Sequence, residues 1–329
     1  MAVKSPEPTR FTCIAPLANF EADTPSLSLE DKLRIRAMTS EEHRSWQRDL
    51  VGALTGPVSL HAGSFAETRF VVEYDYMHSG GAVDTAWIMA RAAQVVTALR
   101  LYDRGDVAIG VVAITQIAGA PFWPGSWPMR LSNVSLSVRP FWARYALEKE
   151  HAENFQKFWN AVSGSMEHPG PGIRTALDRL NSGYTKTEYE DQIIDAVIGL
   201  EAALAPEGSE LSLRLSNRVA MLLGRDDYQR ARIAKVVKAA YDLRSRIVHG
   251  TDTPQTVKVN DSHMRIPEFS GMLERILASV ITMTILLGSW CPRDKLIQRL
   301  DGALLSEEVK GDLIKKILGQ ANLLRNPTF

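Results

Sequence analysis

The sequence predicts an α+β N-terminal domain over residues 1–162, then an all-α helical bundle over residues 173–329. Three observations predict this. Before residue 163, runs rich in β-branched and aromatic residues flank an alanine-rich helical stretch. At 163–172 the chain carries Gly164, Pro169, Gly170, Pro171 and Gly172, its clearest linker signal. Beyond that point apolar residues recur at steps of three and four in segment after segment, the period of a helix face.

Element by element, 65–74 predicts a strand from its phenylalanines and valines. Residues 82–101 predict a helix with Trp87, Val95 and Leu99 among its apolar positions. Strands are expected at 107–117 and 131–138, joined by a Pro- and Trp-rich loop at 121–128. Trp123 and Trp127 in that loop are residues of a type that can stack bases, although loop tryptophans more often pack on their own domain. A helix with Phe155, Phe158 and Trp159 is expected at 145–162. The second domain predicts helices at 173–182, 187–204, 211–223, 228–249, 267–289 and 305–317, and a loop at 251–267. There is no internal repeat and no low-complexity tract.

Composition narrows the function classes. Lys+Arg and Asp+Glu are both 38, so the chain does not have the overall charge of a protein that coats nucleic acid. A local exception runs from Arg225 to Arg246, where basic residues outnumber acidic ones; it reads as a phosphate-tracking strip or as the solvated side of an amphipathic helix. Cys13 and Cys291 form neither a disulfide framework nor a metal-ligand spacing. The start lacks an apolar signal core, and the longest apolar run, at 277–290, is short for a bilayer span. It is expected to be a buried core helix, in a cytoplasmic protein with no membrane partner.

The chemistry concentrates in Tyr241-Asp242-Leu243-Arg244-Ser245-Arg246-Ile247-Val248-His249-Gly250. Ile233, Val237, Ala240 and Ile247 step along one helix face, and Arg244 falls on it. A charge on an apolar face calls for an acidic partner, a phosphate or a subunit boundary, because an unpaired buried charge is costly. His249 sits in the last turn, and Gly250 is placed to end the helix in the left-handed conformation. A guanidinium can hold a phosphate through two parallel hydrogen bonds, and an imidazole can move a proton near neutral pH. The bland reading is a helix-capping histidine and a structural arginine. On a regular helix, residues five apart diverge by about 140°, so the two groups meet only if the terminus unwinds or a second copy supplies one of them.

Two more charges lie on apolar faces: Glu201 after Ile194, Val197 and Ile198, and Arg218 beside Leu215, Val219 and Leu222. A Glu201–Arg218 or Glu201–Arg244 ion pair would satisfy them; the other reading is a supporting role at a catalytic site. Asp226-Asp227 reads as helix capping rather than as a metal site. His43, His61, His78, His151, His168 and His263 have no motif around them.

Four segments in order resemble the HEPN superfamily of helical nucleotide-binding domains, specifically its ApeA-like group. They are Ala176-Leu177-Asp178-Arg179-Leu180, the run from Asp191 to Leu204, Arg218-Val219-Ala220-Met221-Leu222-Leu223, and Tyr241 with Arg244-Ser245 and Ile247-Val248-His249-Gly250. Ala15-Pro16-Leu17, Leu33-Arg34-Ile35-Arg36 and Thr39-Ser40-Glu41-Glu42 resemble, less specifically, what precedes such domains. The resemblance implies a HEPN-like bundle whose Rx4-6H arginine and histidine, contributed by two protomers, cleave RNA. On this chain the pair is Arg244 and His249, with Ser245, Arg246, Glu201 and Arg218 as supporting or phosphate-binding residues. It further implies a homodimer, RNA as the partner, no metal and no other cofactor, and a role in prokaryotic defence or toxin biology. The alternative is a non-catalytic dimerisation, nucleic-acid-binding or sensor module. Ser245 favours it, because active members often carry Asn, Asp or His there.

Overall fold

The computed structural model describes residues 9–44, 46, 67–78, 84–109, 112–116, 144–205, 210–250, 253–259, 262–323 and 325. The chain divides into two units, residues 1–100 with 104–160, and residues 101–103 with 161–329.

The first unit is built on an antiparallel sheet. Its strands are β1 (Thr9–Ala18), β3 (Ser26–Glu30), β4 (Leu33–Ala37), β5 (Phe70–His78), β6 (Ala108–Ile109) and β7 (Ala113–Gln116). Their order is β3-β4-β5-β1-β6, with β7 also paired to β1. β4 follows period-two logic, with Leu33 and Ile35 buried and Arg34 exposed. β1 is central, and Cys13, Ala15, Leu17 and Ala18 are all buried. Pro16 lies between the part of β1 that pairs with β7, which ends at Ile14, and the part that pairs with β6, which starts at Leu17. Helix α1 (Thr85–Tyr102) follows β5, and the Tyr74 hydroxyl bonds the Ile88 carbonyl. A short parallel pair joins β2 (Phe20–Ala22) to β8 (Tyr145–Leu147).

Thr39 and Glu42 form a reciprocal capping box on the helical segment at 40–44. The Glu42 N–H bonds Thr39 Oγ1 at 3.1 Å, and the Thr39 N–H bonds Glu42 Oε2 at 2.8 Å. The Arg36 guanidinium then clasps both Glu42 oxygens at 2.7 and 2.8 Å and reaches Glu73 at 2.6 Å.

The second unit contains α3 (Pro171–Gly183), α4 (Tyr189–Leu204), α5 (Leu211–Leu223), α6 (Asp227–Val248), α7 (Ile266–Leu287), α8 (Arg293–Gly302) and α9 (Glu307–Ala321). α7 is its core: α3, α4, α5 and α9 all pack against it. An 18-residue stretch of α7 is long and apolar enough to cross a bilayer, but 89% of it is buried inside the bundle. α4 comes close to α7 at Gly199, where an added Cβ would lie 2.8 Å from a Leu277 methyl. α6 packs on α5 and α4.

Several expectations need correcting. The linker expected at 163–172 is largely helix: α2 (Lys149–Glu167) runs through its first half, and α3 starts at Pro171. Proline suits the first helical position, where its missing N–H is not needed. Gly172 provides close approach rather than flexibility, since a Cβ there would lie 2.5 Å from the Ala202 carbonyl. The helix expected at 145–162 begins at Lys149, because 145–147 is β8. The strand at 107–117 is broken into β6 and β7, and the strand at 65–74 runs from Phe70 to His78. The loop at 251–267 contains a hairpin, β9 (Thr256–Val259) with β10 (Ser262–Arg265). α8 was not expected, nor were β1 to β4. The strand at 131–138 and the loop at 121–128 lie outside the described residues.

Candidate functional site

α6 carries the motif, and its two ends are well specified. Asp226 is the N-cap, accepting a 2.7 Å bond from the Gln229 N–H, which is the capping role expected of the Asp226-Asp227 pair. Ile233, Val236, Val237, Ala240 and Leu243 form the buried face. At the other end the His249 N–H bonds the Ser245 carbonyl at 3.1 Å and the Gly250 N–H bonds the Ile247 carbonyl at 3.0 Å. Gly250 takes φ +70°, the left-handed stop expected of it.

The helix therefore stays regular up to His249, and the terminus does not unwind. Arg244 and His249 remain on different sides of α6, about 140° apart at 100° per residue. Within one chain they do not converge.

Arg244 sits half-buried at the rim of the apolar face. Its Nε is buried and meets no hydrogen-bond acceptor among the described residues. The nearest compensation is the Tyr241 ring, whose centroid is 6.0 Å from the guanidinium carbon. Arg230, earlier on α6, also leaves Nε unbonded, but its other nitrogens reach Asp227 and the Arg225 carbonyl. Beside Arg244, Ser245 is half-buried, while Arg246, Val248 and His249 are exposed.

The expected Glu201 pairs are not formed. Glu201 makes no ion pair among the described residues. Arg218 instead holds both Asp301 oxygens at 2.7 Å and the Leu204 carbonyl at 2.7 Å. Sequence spacing pointed to the nearest acid on an apolar face, but the acid that meets Arg218 lies on α8, which the sequence reading had not placed. Arg218 is buried and its donors are engaged, so it is not available to a phosphate. Arg293 completes the arrangement by bonding the Ala202 and Ala203 carbonyls at 2.6 and 2.8 Å. Together the two arginines take up the last carbonyls of α4, groups that have no partner within a helix.

Other polar groups in the resembling segments are structural too. Asp195 is buried and accepts from Arg179 Nη1 at 2.9 Å and Ser182 Oγ at 2.7 Å. Gln192 bonds Ser270 on α7 at 2.7 Å. Between α5, the start of α6 and α9 lies a cleft of about 270 Å³, lined by Asn217, Met221, Arg230 and Lys310 among others. Arg230 and Lys310 both meet Asp227 at its mouth, at 2.7 and 3.6 Å.

Two features, one beside the motif helix and one at its far end, were missed in the sequence. β9 packs against α6, and on this hairpin Lys258 and His263 are exposed cross-strand partners. At the start of α6, Tyr228 is 72% exposed. Among the described residues, one His/Asp/Glu group is close enough to share a cation: Glu148, Glu150 and His151, in the first unit. Compared with family models, curated proteins and solved structures, the chain has no match.

Proposed function

We propose that this chain is a metal-independent endoribonuclease of the HEPN type, acting on RNA as a homodimer in the cytoplasm, in prokaryotic defence or toxin biology. The observation that carries the reading is Arg244: a half-buried guanidinium whose Nε has no partner among the described residues, five residues before an exposed histidine at a helix end. Such a group calls for an anion, and a phosphate with its shared charge fits a guanidinium fork.

In the proposed reaction the 2′-oxygen of RNA attacks its own phosphorus. The O2′–P bond forms and the P–O5′ bond breaks. His249 takes the 2′-hydroxyl proton, and a proton is returned to the leaving 5′-oxygen. Arg244 stabilises the charge that grows on the non-bridging oxygens. The products are a 2′,3′-cyclic phosphate and a 5′-hydroxyl. Because Arg244 and His249 diverge on one helix, the pair is completed across a two-fold axis, Arg244 from one protomer with His249 from its partner. Ser245 and Arg246 flank the phosphate.

A second reading, a non-catalytic nucleic-acid-binding or sensor module, is favoured by Ser245, a weaker polar partner than the amide, carboxylate or imidazole often found there. One experiment separates the two. The full chain is incubated with labelled single-stranded RNA in excess EDTA, and product ends are identified. Cleavage leaving a cyclic phosphate is expected, reduced by about a hundredfold or more in His249→Ala or Arg244→Ala. Mixing those two inactive variants should restore about a quarter of the activity, since half the dimers are mixed and each holds one intact composite site. Products ending in 3′-hydroxyl, or loss of activity on chelation, would overturn the mechanism. A monomer that cleaves would overturn the composite site.

A further inference from the structure

The exposed side of α6 holds a row that runs back from His249 of the proposed catalytic pair to the start of the helix. At 100° per residue, Tyr228, Arg232, Lys235, Asp242, Arg246 and His249 lie within an arc of about 100°. Lys238 borders the same arc. All are solvent-exposed. We infer that this row is a track for a single strand of nucleic acid, with Tyr228 stacking a base at one end and His249 at the other. The inference rests on the ribonuclease reading for the strand being a substrate.

Three observations carry it. First, the row is one-signed past the first turn: Arg232, Lys235, Lys238 and Arg246 stand against the single acid Asp242. A merely solvated helix face in a chain with equal totals of both signs would mix them. Second, Arg232, Lys235 and Lys238 have no carboxylate partner among the described residues, although ion pairs hold many other arginines of this chain, such as Arg36, Arg91 and Arg299. Third, Tyr228 is an aromatic ring 72% exposed, with the Arg232 guanidinium 5.7 Å from its centroid. A flat exposed ring beside a cation is the pairing that stacks a base while holding its phosphate.

The geometry favours a strand over other anionic partners. The row is one helix face wide and, from Tyr228 to His249, about 31 Å long at 1.5 Å per residue. Single-strand sites commonly cover roughly 4–16 nucleotides. An interfacial membrane helix needs a broad apolar face opposite its charges, and the apolar face of α6 is spent on the bundle. On the hairpin that packs against α6, Lys258 is exposed as well.

The test uses the full chain and a fluorescein-labelled oligothymidylate of twelve nucleotides, which lacks the attacking 2′-hydroxyl, read by anisotropy. A dinucleotide RNA too short to reach Tyr228 reads the catalytic pair alone. Tyr228→Ala should weaken oligonucleotide binding by at least about fivefold and leave dinucleotide cleavage unchanged. Lys235→Glu with Lys238→Glu should make the salt dependence shallower by about 0.7 per lost phosphate contact. The charge-matched pair Lys315→Glu with Lys316→Glu on α9 should bind as the unaltered chain does. If the dinucleotide is not cleaved yet binding depends on Tyr228, the track stands and the ribonuclease reading falls. If cleavage occurs but both sets of variants bind unchanged, the track is overturned and the ribonuclease reading stands. Equal affinity for a duplex of the same length, or tighter binding to phosphatidylserine vesicles, would also overturn it.

Discussion

Arg218 and Arg244 look alike in the sequence and behave oppositely in the fold. Each stands on an apolar helix face, at helical spacing from its apolar neighbours. Arg218 ends up saturated, with Asp301 on one side and the Leu204 carbonyl on the other. Arg244 has an aromatic neighbour and a buried Nε with nothing to bond among the described residues. The first holds a helix end in place. The second is costly as it stands, a cost that the proposed phosphate would relieve. A buried cation is thus informative about function only after its partners have been counted.

That contrast can be broken from either side. The largest effect on stability should come from Arg218→Met, which removes a buried cation bonded three times. Asp301 is left half-exposed and re-hydrates, while the Leu204 carbonyl is left without a donor, so a loss of about 2–3 kcal/mol in urea unfolding is expected. A loss below about 1 kcal/mol would mean that Arg218 is no more structural than Arg244.

A pH-dependent effect comes next, from the saturated cluster in the first unit. Burial works against the Glu42 carboxylate, but the Arg36 guanidinium and the Thr39 N–H outweigh it and hold its pKa below the usual 4.5. A depressed carboxylate contributes stability that is fully present above its unfolded value and is lost as pH falls through the folded one. Glu42→Gln should therefore lower the urea midpoint at pH 7, and the gap should close as the pH falls below about 4. A gap independent of pH would show that the charge on Glu42 contributes nothing.

The smallest effect sharpens the comparison most. Arg244→Met keeps the stem and removes the unsatisfied group, so stability should stay within about 1 kcal/mol or rise slightly. A loss comparable to that of Arg218→Met would reveal a partner for Arg244 and remove the reason to expect a phosphate there.

The sequence placed α6 almost to the residue, because Asp226, the apolar spacing and Gly250 all act locally. Arg244 and His249 were legible for the same reason, and so was their divergence, which follows from helix geometry alone. What was not legible depended on distant chain. Nothing near Arg218 announces Asp301. β1 hid because the alternation of Phe11 to Ala15 ends in a run, Ala15 to Ala18, that is buried throughout, and because Pro16 argues against a strand. The supposed linker misled because Pro171 and Gly172 serve a helix start and a close approach, uses that read identically to a flexible joint.

The central position of α7 has a consequence for the order in which the chain acquires its structure. α3 with α4 and α5 with α6 pack as pairs and are synthesised before it, yet α3, α4 and α5 also bury surface against α7. Until Leu287 has left the ribosome those pairs lack the helix at the centre of the bundle, whereas β1 to β8 are already present to form their sheets. The first unit can thus condense during synthesis, and the bundle that bears Arg244 and His249 must wait for a segment made after the motif. A chain interrupted between Gly250 and Ile266 would contain the whole motif and hold it on helices without the one at their centre.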